Sequence, residues 1–452
     1  MNLNPARRFL YLLCALLLLA NSMSALTRLA EKQLTTSSAI ETEPVIVTYL
    51  SGSGVEYYCS VWMHFSPDLN AYSSLRAGSW RSTSSIVTNT TIPQYSTYNR
   101  MADPILLKHP TLERIYLVAL GQDTSTGTFV LLVWFSNSGG SSWSTPTVIP
   151  TEGKFDKPAA AFAPDGTLWV SYVRQPGTTN TIILKSVTHN ADFTWTFGSP
   201  IVVDGYTIPN IPGAWNTEHN PQVMSDGANG VYLSYTAYDQ LSTAVRVRLA
   251  HYFLNGTITK TDVPSVTRIY TGQQRNDYLE MSPGVTLRAG TVPIAKIDRI
   301  RRRIIIVWHE PSGAMPGPST KIRMAVYRVD AAQWAAWPSF SVTTGRELFP
   351  AFDIDPNNGN LLVTWYRFSA NQSTYLHVGK YVTFSGDTPT WTTDDVISNQ
   401  GPADLSLLTP DSIGDRYIGD YHDVMYTNGA FRSVQIRITG ANGNPWAFTV
   451  AP

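Results

Sequence analysis

Glu43-Pro44-Val45-Ile46, Asp103-Pro104-Ile105-Leu106, Lys157-Pro158-Ala159-Ala160, Asn220-Pro221-Gln222-Val223 and Phe349-Pro350-Ala351-Phe352 are five versions of one phrase. In each, a proline opens a short apolar stretch, a turn follows, and a second strand ends near an aromatic residue. Val292-Pro293-Ile294-Ala295 is a looser copy, and the six prolines lie 60, 54, 63, 72 and 57 residues apart.

The second stretch of each repeat is β-branched and aromatic, as in Ile115-Tyr116-Leu117-Val118-Ala119-Leu120 and Ile304-Ile305-Ile306-Val307-Trp308. Such runs are strands by length and composition. Turn sequences such as Pro164-Asp165-Gly166 and Pro356-Asn357-Asn358-Gly359 precede several of them, so each pair reads as an antiparallel hairpin. Third strands are expected at 128–135, 181–187, 244–253, 321–329 and 374–384. Helical periodicity is confined to 330–337. A long repeat built only from strands is the signature of a β-propeller blade, so the predicted fold is all-β with four-stranded antiparallel blades.

A seventh copy begins at Gly419-Asp420-Tyr421-His422 and ends at Trp446-Ala447-Phe448-Thr449-Val450, with no room for a fourth strand. The segment 34–40 resembles Ser82-Thr83-Ser84-Ser85-Ile86-Val87, which stands where the first blade's outer strand is expected. An N-terminal strand at 34–40 is therefore expected to close the last blade and remove an open edge. The count is seven blades, or six if 43–101 forms an irregular half blade.

Residues 1–25 combine Arg7 and Arg8, an apolar run over 9–20 and small residues at Ser22, Ser24 and Ala25. This is a secretory signal peptide, leaving 26–452 as one secreted, extracellular or periplasmic propeller domain. No later stretch is long and apolar enough for a membrane span. Cys59 is then the only cysteine, which excludes an internal disulfide. Lys plus Arg equals Asp plus Glu at 33 each, with charged residues only 15% of the chain, and this argues against a nucleic-acid partner. The 13 Trp, 23 Tyr and 16 Phe suit aromatic packing and also the stacking of sugar rings. Asn89, Asn255 and Asn371 begin N-x-S/T sequons.

Ser136-Asn137-Ser138-Gly139-Gly140-Ser141-Ser142-Trp143 resembles the Asp-box, S-x-D-x-G-x-T/S-W, of the bacterial neuraminidase repeats found in sialidases and related propellers. Ser136, Gly140, Ser142 and Trp143 match it; Ser138 replaces the aspartate. Ser385-Gly386-Asp387-Thr388-Pro389-Thr390-Trp391 is a shortened copy. The motif stabilises a turn and identifies an architecture rather than an activity.

The resemblance implies an arginine cluster that clamps a substrate carboxylate, a tyrosine nucleophile with a glutamate base, and an aspartate acid/base. The Arg-Ile-Pro phrase that introduces the family's first arginine is absent. Catalytic candidates are Arg275, Arg346 and Arg367 for the clamp, with Tyr278 and Glu280 as nucleophile and base. The residues preceding the prolines form a second set, because innermost strands line a propeller's channel. Glu43, Asp103, Lys157, Asn220 and Asp420, with His219 and His422 beside them, are the channel-mouth binding candidates. No zinc spacing is present, and no metal or cofactor is expected. The basic run 299–303 is expected as a solvated loop. The function expected is carbohydrate or cell-surface partner binding at one mouth, without a complete sialidase site; the alternative is an exo-acting, sialidase-like glycoside hydrolase with a divergent site. A purely structural platform is the third possibility.

Overall fold

The computed structural model describes residues 26–50, 54–65, 73–84, 86–175, 179–207, 220–227, 230–239, 244–264, 268–269, 278–311, 319–336, 345–369, 373–392, 395–398, 400–408 and 415–452. The signal segment, His219, Arg275 and Asn371 lie outside them. The described chain is all-β; its one helical element is a 3-10 turn at Leu405–Leu407.

Antiparallel four-strand units recur in chain order. The first comprises Ile40–Leu50, Glu56–Phe65, Ser73–Arg81 and Thr88–Thr91, and the second Arg100–Lys108, Ile115–Asp123, Thr128–Ser136 and Thr147–Ile149. These two units are joined by one parallel pair, Ser73 with Arg100. The third is Phe155–Phe162, Leu168–Arg174, Thr179–His189 and Trp195–Phe197, with Ile201–Thr207 also paired to its third strand. The fourth is Gln222–Ser225, Gly230–Asp239, Ala244–Phe253 and Ile258–Asp262; the fifth is Ile294–Asp298, Arg303–Pro311, Thr320–Arg328 and Gln333–Ala336; the sixth is Arg346–Ile354, Leu361–Phe368, Thr374–Ser385 and Thr388–Trp391. The last sheet orders Asp423–Thr427, Ala430–Thr439, Asn442–Ala451 and Thr27–Gln33.

Three expectations change. The N-terminal strand that pairs with the last strand is Thr27–Gln33, not 34–40; its ladder runs from Thr27 opposite Ala451 to Gln33 opposite Trp446, and Leu34 N adds a final bond to Pro445 O at 3.0 Å. The first unit's outer strand is Thr88–Thr91 rather than 82–87. Of the segment 330–337, the described residues 330–336 are not helical: Gln333 pairs with Arg328 and Trp334 with Tyr327, so sheet pairing overrides the helix propensity of the alanines.

The prolines do not open their strands in four of the five phrases. Strands begin up to four residues earlier, and the residue before the proline is an extra one in the ladder. Thr42 faces Met63 while Val45 faces Val61, and the same offset occurs at Ala102/Ile105, Asp156/Ala159 and Leu348/Ala351. This is a β-bulge. Glu43, Asp103, Lys157, Asn220 and Phe349 all adopt left-handed backbone, with φ of 52°, 52°, 49°, 37° and 53°. Such a conformation is uncommon for these residues and unfavourable before proline, and is held by the surrounding sheet. The long 72-residue spacing contains an extra hairpin, Tyr278–Ser282 with Val285–Arg288, which Asp415–Arg416 joins in parallel.

Apolar layers lie between successive sheets. Trp62, Trp134, Trp308 and Trp365 are fully buried there, each worth on the order of 4–6 kcal/mol in transfer free energy before its ordering cost. In the turn at 136–143, Ser136 Oγ accepts from Ser138 N and Gly140 N at 3.2 and 3.0 Å. Ser138 Oγ accepts from Ser142 N at 2.9 Å, so a hydroxyl caps the turn where the related motif has a carboxylate. A Cβ at Gly140 would lie 2.3 Å from Cys59 Sγ, which fixes glycine there.

Candidate functional site

The bulges gather charged side chains at one end of the innermost strands. Lys157 Nζ lies 2.6 Å from Asp420 Oδ2 and 3.7 Å from Asp103 Oδ1. Glu43 hydrogen-bonds the Asp103 carboxyl, accepts from Asp420 N at 3.3 Å, and accepts from the Tyr417 hydroxyl. Four sequence-predicted mouth residues, Glu43, Asp103, Lys157 and Asp420, therefore form one cluster from the first, second, third and last units. Asp420 has no proline beside it. Its place depends on Gly419 at φ 100°, where a Cβ would approach Glu43 N to 2.7 Å.

The cluster is buried: Glu43 is 0% exposed and Asp420 2%, while Asp103 and Lys157 keep 6% and 8%. Burial pushes the Asp103 carboxyl up to about 7; Lys157 opposes this, and the Glu43 and Asp420 carboxyls reinforce it. A second carboxylate this close disfavours ionisation of Asp103. The phenol of Tyr421 is raised well above its ordinary value, first by burial and then by Glu43 and Asp103. Its hydroxyl donates to Pro104 O at 3.1 Å. A site with a proton exchangeable near neutrality, an ammonium and two tyrosines can donate to and accept from a polyhydroxylated ligand, and can move a proton.

Below this cluster lies a cavity of about 360 Å³ lined by the innermost strands, including Val45, Pro104, Pro158, Met224 and Tyr421. A second ionic group, unanticipated from sequence, lies about three residues further along the strands, roughly 10 Å at the rise of a strand. Lys296 Nζ is 3.0 Å from Asp353 Oδ1 and 3.9 Å from Asp423 Oδ1.

Other candidates go elsewhere. Asn220 donates to Thr291 O at 3.0 Å. His422 faces the seam between the sixth and last units, with Nε2 2.8 Å from Thr364 Oγ1 and 3.1 Å from Gln435 Nε2. Burial and the neighbouring His377 hold its pKa well below the ordinary value. Arg346 and Arg367 stand on the first two strands of the sixth unit, but Arg346 pairs with Phe368 and Arg367 with Glu347, so their side chains point to opposite faces and form no clamp. Arg346 Nη1 meets Met281 Sδ at 3.4 Å, and Arg367 reaches Glu347 Oε1 through Nε and Nη2 at 3.0 and 2.6 Å. Tyr278 and Glu280 stand on the extra hairpin, their side chains outside the described residues. Tyr417 was missed by sequence reasoning; its signal was its position just ahead of the Gly419-Asp420 phrase.

No family model and no curated protein matches the chain. Among solved structures, the chain is similar to sialidases. The Hadza microbial sialidase Hz136 aligns at 14% identity and a TM-score of 0.45, over 74% of this chain and 64% of its own, so the chain spans less than two thirds of that protein. The NanB sialidase from Streptococcus pneumoniae aligns at 8% identity and 0.44, covering 83% and 70%. A Penicillium chrysogenum alpha-L-arabinanase complexed with arabinobiose aligns at 12% and 0.44, covering 94% and 98%.

Proposed function

We propose that this chain is a secreted, sialidase-like β-propeller of seven blades, closed by its N-terminal strand, that binds a carbohydrate at the mouth formed by Glu43, Asp103, Lys157, Asp420 and Tyr417. One observation carries the site assignment. Side chains from four repeat units, three of them on strained pre-proline bulges, meet in a single hydrogen-bonded group with a proton held near neutrality. Strain maintained at equivalent places in successive units is a feature of functional sites. The seven-blade count is supported by the recurrence of the four-strand unit and by Thr27–Gln33 completing the last one. Ligand entry is past Tyr417, the half-buried member of the group.

A glycan array with the mature protein tests this. At least one bound glycan should be lost or at least tenfold weaker with Asp103→Asn, whereas no bound glycan, or unchanged binding of every one, contradicts it. A second reading, hydrolysis, is favoured by the Tyr417 to Glu43 hydrogen bond beside Asp103, since the sequence resemblance to sialidases implies a tyrosine, a glutamate and an aspartate in those roles. Turnover of a fluorogenic sialoside that disappears in Tyr417→Phe would establish that reading. No turnover in the wild type would remove it.

A further inference from the structure

At the end of the sheets opposite the mouth, a cleft of about 760 Å³ opens between the fourth and fifth units. That volume suits a small ligand. Its walls are aromatic: the His251 ring stacks on Tyr232 at 3.9 Å and 15°, and Phe253 packs against His251 at 3.7 Å. His251 is kept neutral by burial, and its Nε2 is buried with no hydrogen-bond partner among the described residues. An unmet buried polar atom is costly, and a turn of the His251 ring toward the cleft would bring it to a ligand hydroxyl.

The rim is polar and charge-balanced. Arg302 Nε lies 2.9 Å from Asp330 Oδ1, and Lys260 Nζ 2.7 Å from Asp204 Oδ1. An anion or a cation would have to displace one of these partners, whereas hydroxyl groups can accept from the cations and donate to the carboxylates together. Two of the rim turns place non-glycine residues in left-handed backbone, Arg302 at φ 53° and Ala332 at φ 50°. The other two use Gly227 and Gly256, at 89° and 92°. An arginine thus stands where glycine would be conformationally easier.

We propose that this cleft is a second ligand site that takes one neutral pyranose unit of a glycan, with Phe253 and His251 against the sugar's apolar face and the Arg302 and Asp330 pair on its hydroxyls. It is independent of the mouth. Saturation-transfer NMR with methyl glucoside, galactoside and mannoside, and methyl sialoside as the charged control, tests it on the mature protein. At least one neutral glycoside should bind, and binding should fall at least tenfold in Arg302→Gly or His251→Phe while surviving in Asp103→Asn. Arg302→Gly relieves the left-handed strain and His251→Phe removes the unmet nitrogen, so both variants should keep or raise the melting temperature. No neutral glycoside binding, undiminished binding in both folded variants, or loss in Asp103→Asn would overturn the proposal; the last result would move the sugar to the mouth.

Discussion

Two halves of the set of pre-proline positions share a left-handed backbone and differ in chemistry. Glu43, Asp103 and Lys157 carry charges into one hydrogen-bonded cluster, whereas Asn220 satisfies the Thr291 carbonyl and Phe349 is buried against His309 and Tyr366. The left-handed pre-proline residue recurs in all five. Backbone repetition therefore builds the scaffold, and the side chain at a single position of each unit decides whether that position joins the charged cluster or packs.

The largest expected effects lie at the centre of each half. Lys157→Met leaves buried carboxyls without their cation and should cost about 3–5 kcal/mol in urea unfolding. Phe349→Ala should cost a similar amount, about 3–5 kcal/mol, by opening a cavity instead. A double-mutant cycle separates the causes: Lys157→Met with Asp420→Asn should couple by about 1–3 kcal/mol, and Lys157→Met with Phe349→Ala should be additive within about 0.5 kcal/mol. Additivity in the first pair would break the charged half of the comparison.

The charged cluster and the seam between the sixth and last units should also respond to pH with opposite sign. Asp103 rises from 3.8 to about 7 on folding, so the folded state holds its proton more tightly. Its contribution is complete below pH 4 and is lost as pH rises to 7. His377, in the seam of the sixth and last units, falls from 6.5 to about 3 through burial and the nearby Arg437. Its contribution is complete above pH 6.5 and is lost as pH falls toward 3. Urea midpoints from pH 4.5 to 7.5 should show a shallower alkaline loss in Asp103→Asn and a shallower acid loss in His377→Phe, each at most about 1.4 kcal/mol per pH unit. The smallest effect is expected for Asn220→Gly, within about 1 kcal/mol, because a lost hydrogen bond is offset by relief of the left-handed strain.

The repeating strands and the mouth residues were legible in the sequence because the bulge is local: each pre-proline residue stands at the same point of its unit. The N-terminal strand that pairs with the last strand was misplaced because serine- and threonine-rich composition at 34–40 resembled another segment, while pairing is set by register with Asn442–Ala451. Tyr417 and the Lys296 group were not legible, since their partners, Glu43 and Asp353 with Asp423, lie far along the chain and meet only when the innermost strands assemble.

Glycan binding at pH 5.5 and pH 8, compared between wild type and Asp103→Asn, tests the mouth most directly. Wild-type binding should change across the titration of Asp103 near 7, while the variant's residual binding should be weaker by at least tenfold and flat with pH. Equal affinities and equal pH profiles in the two proteins would contradict the assignment.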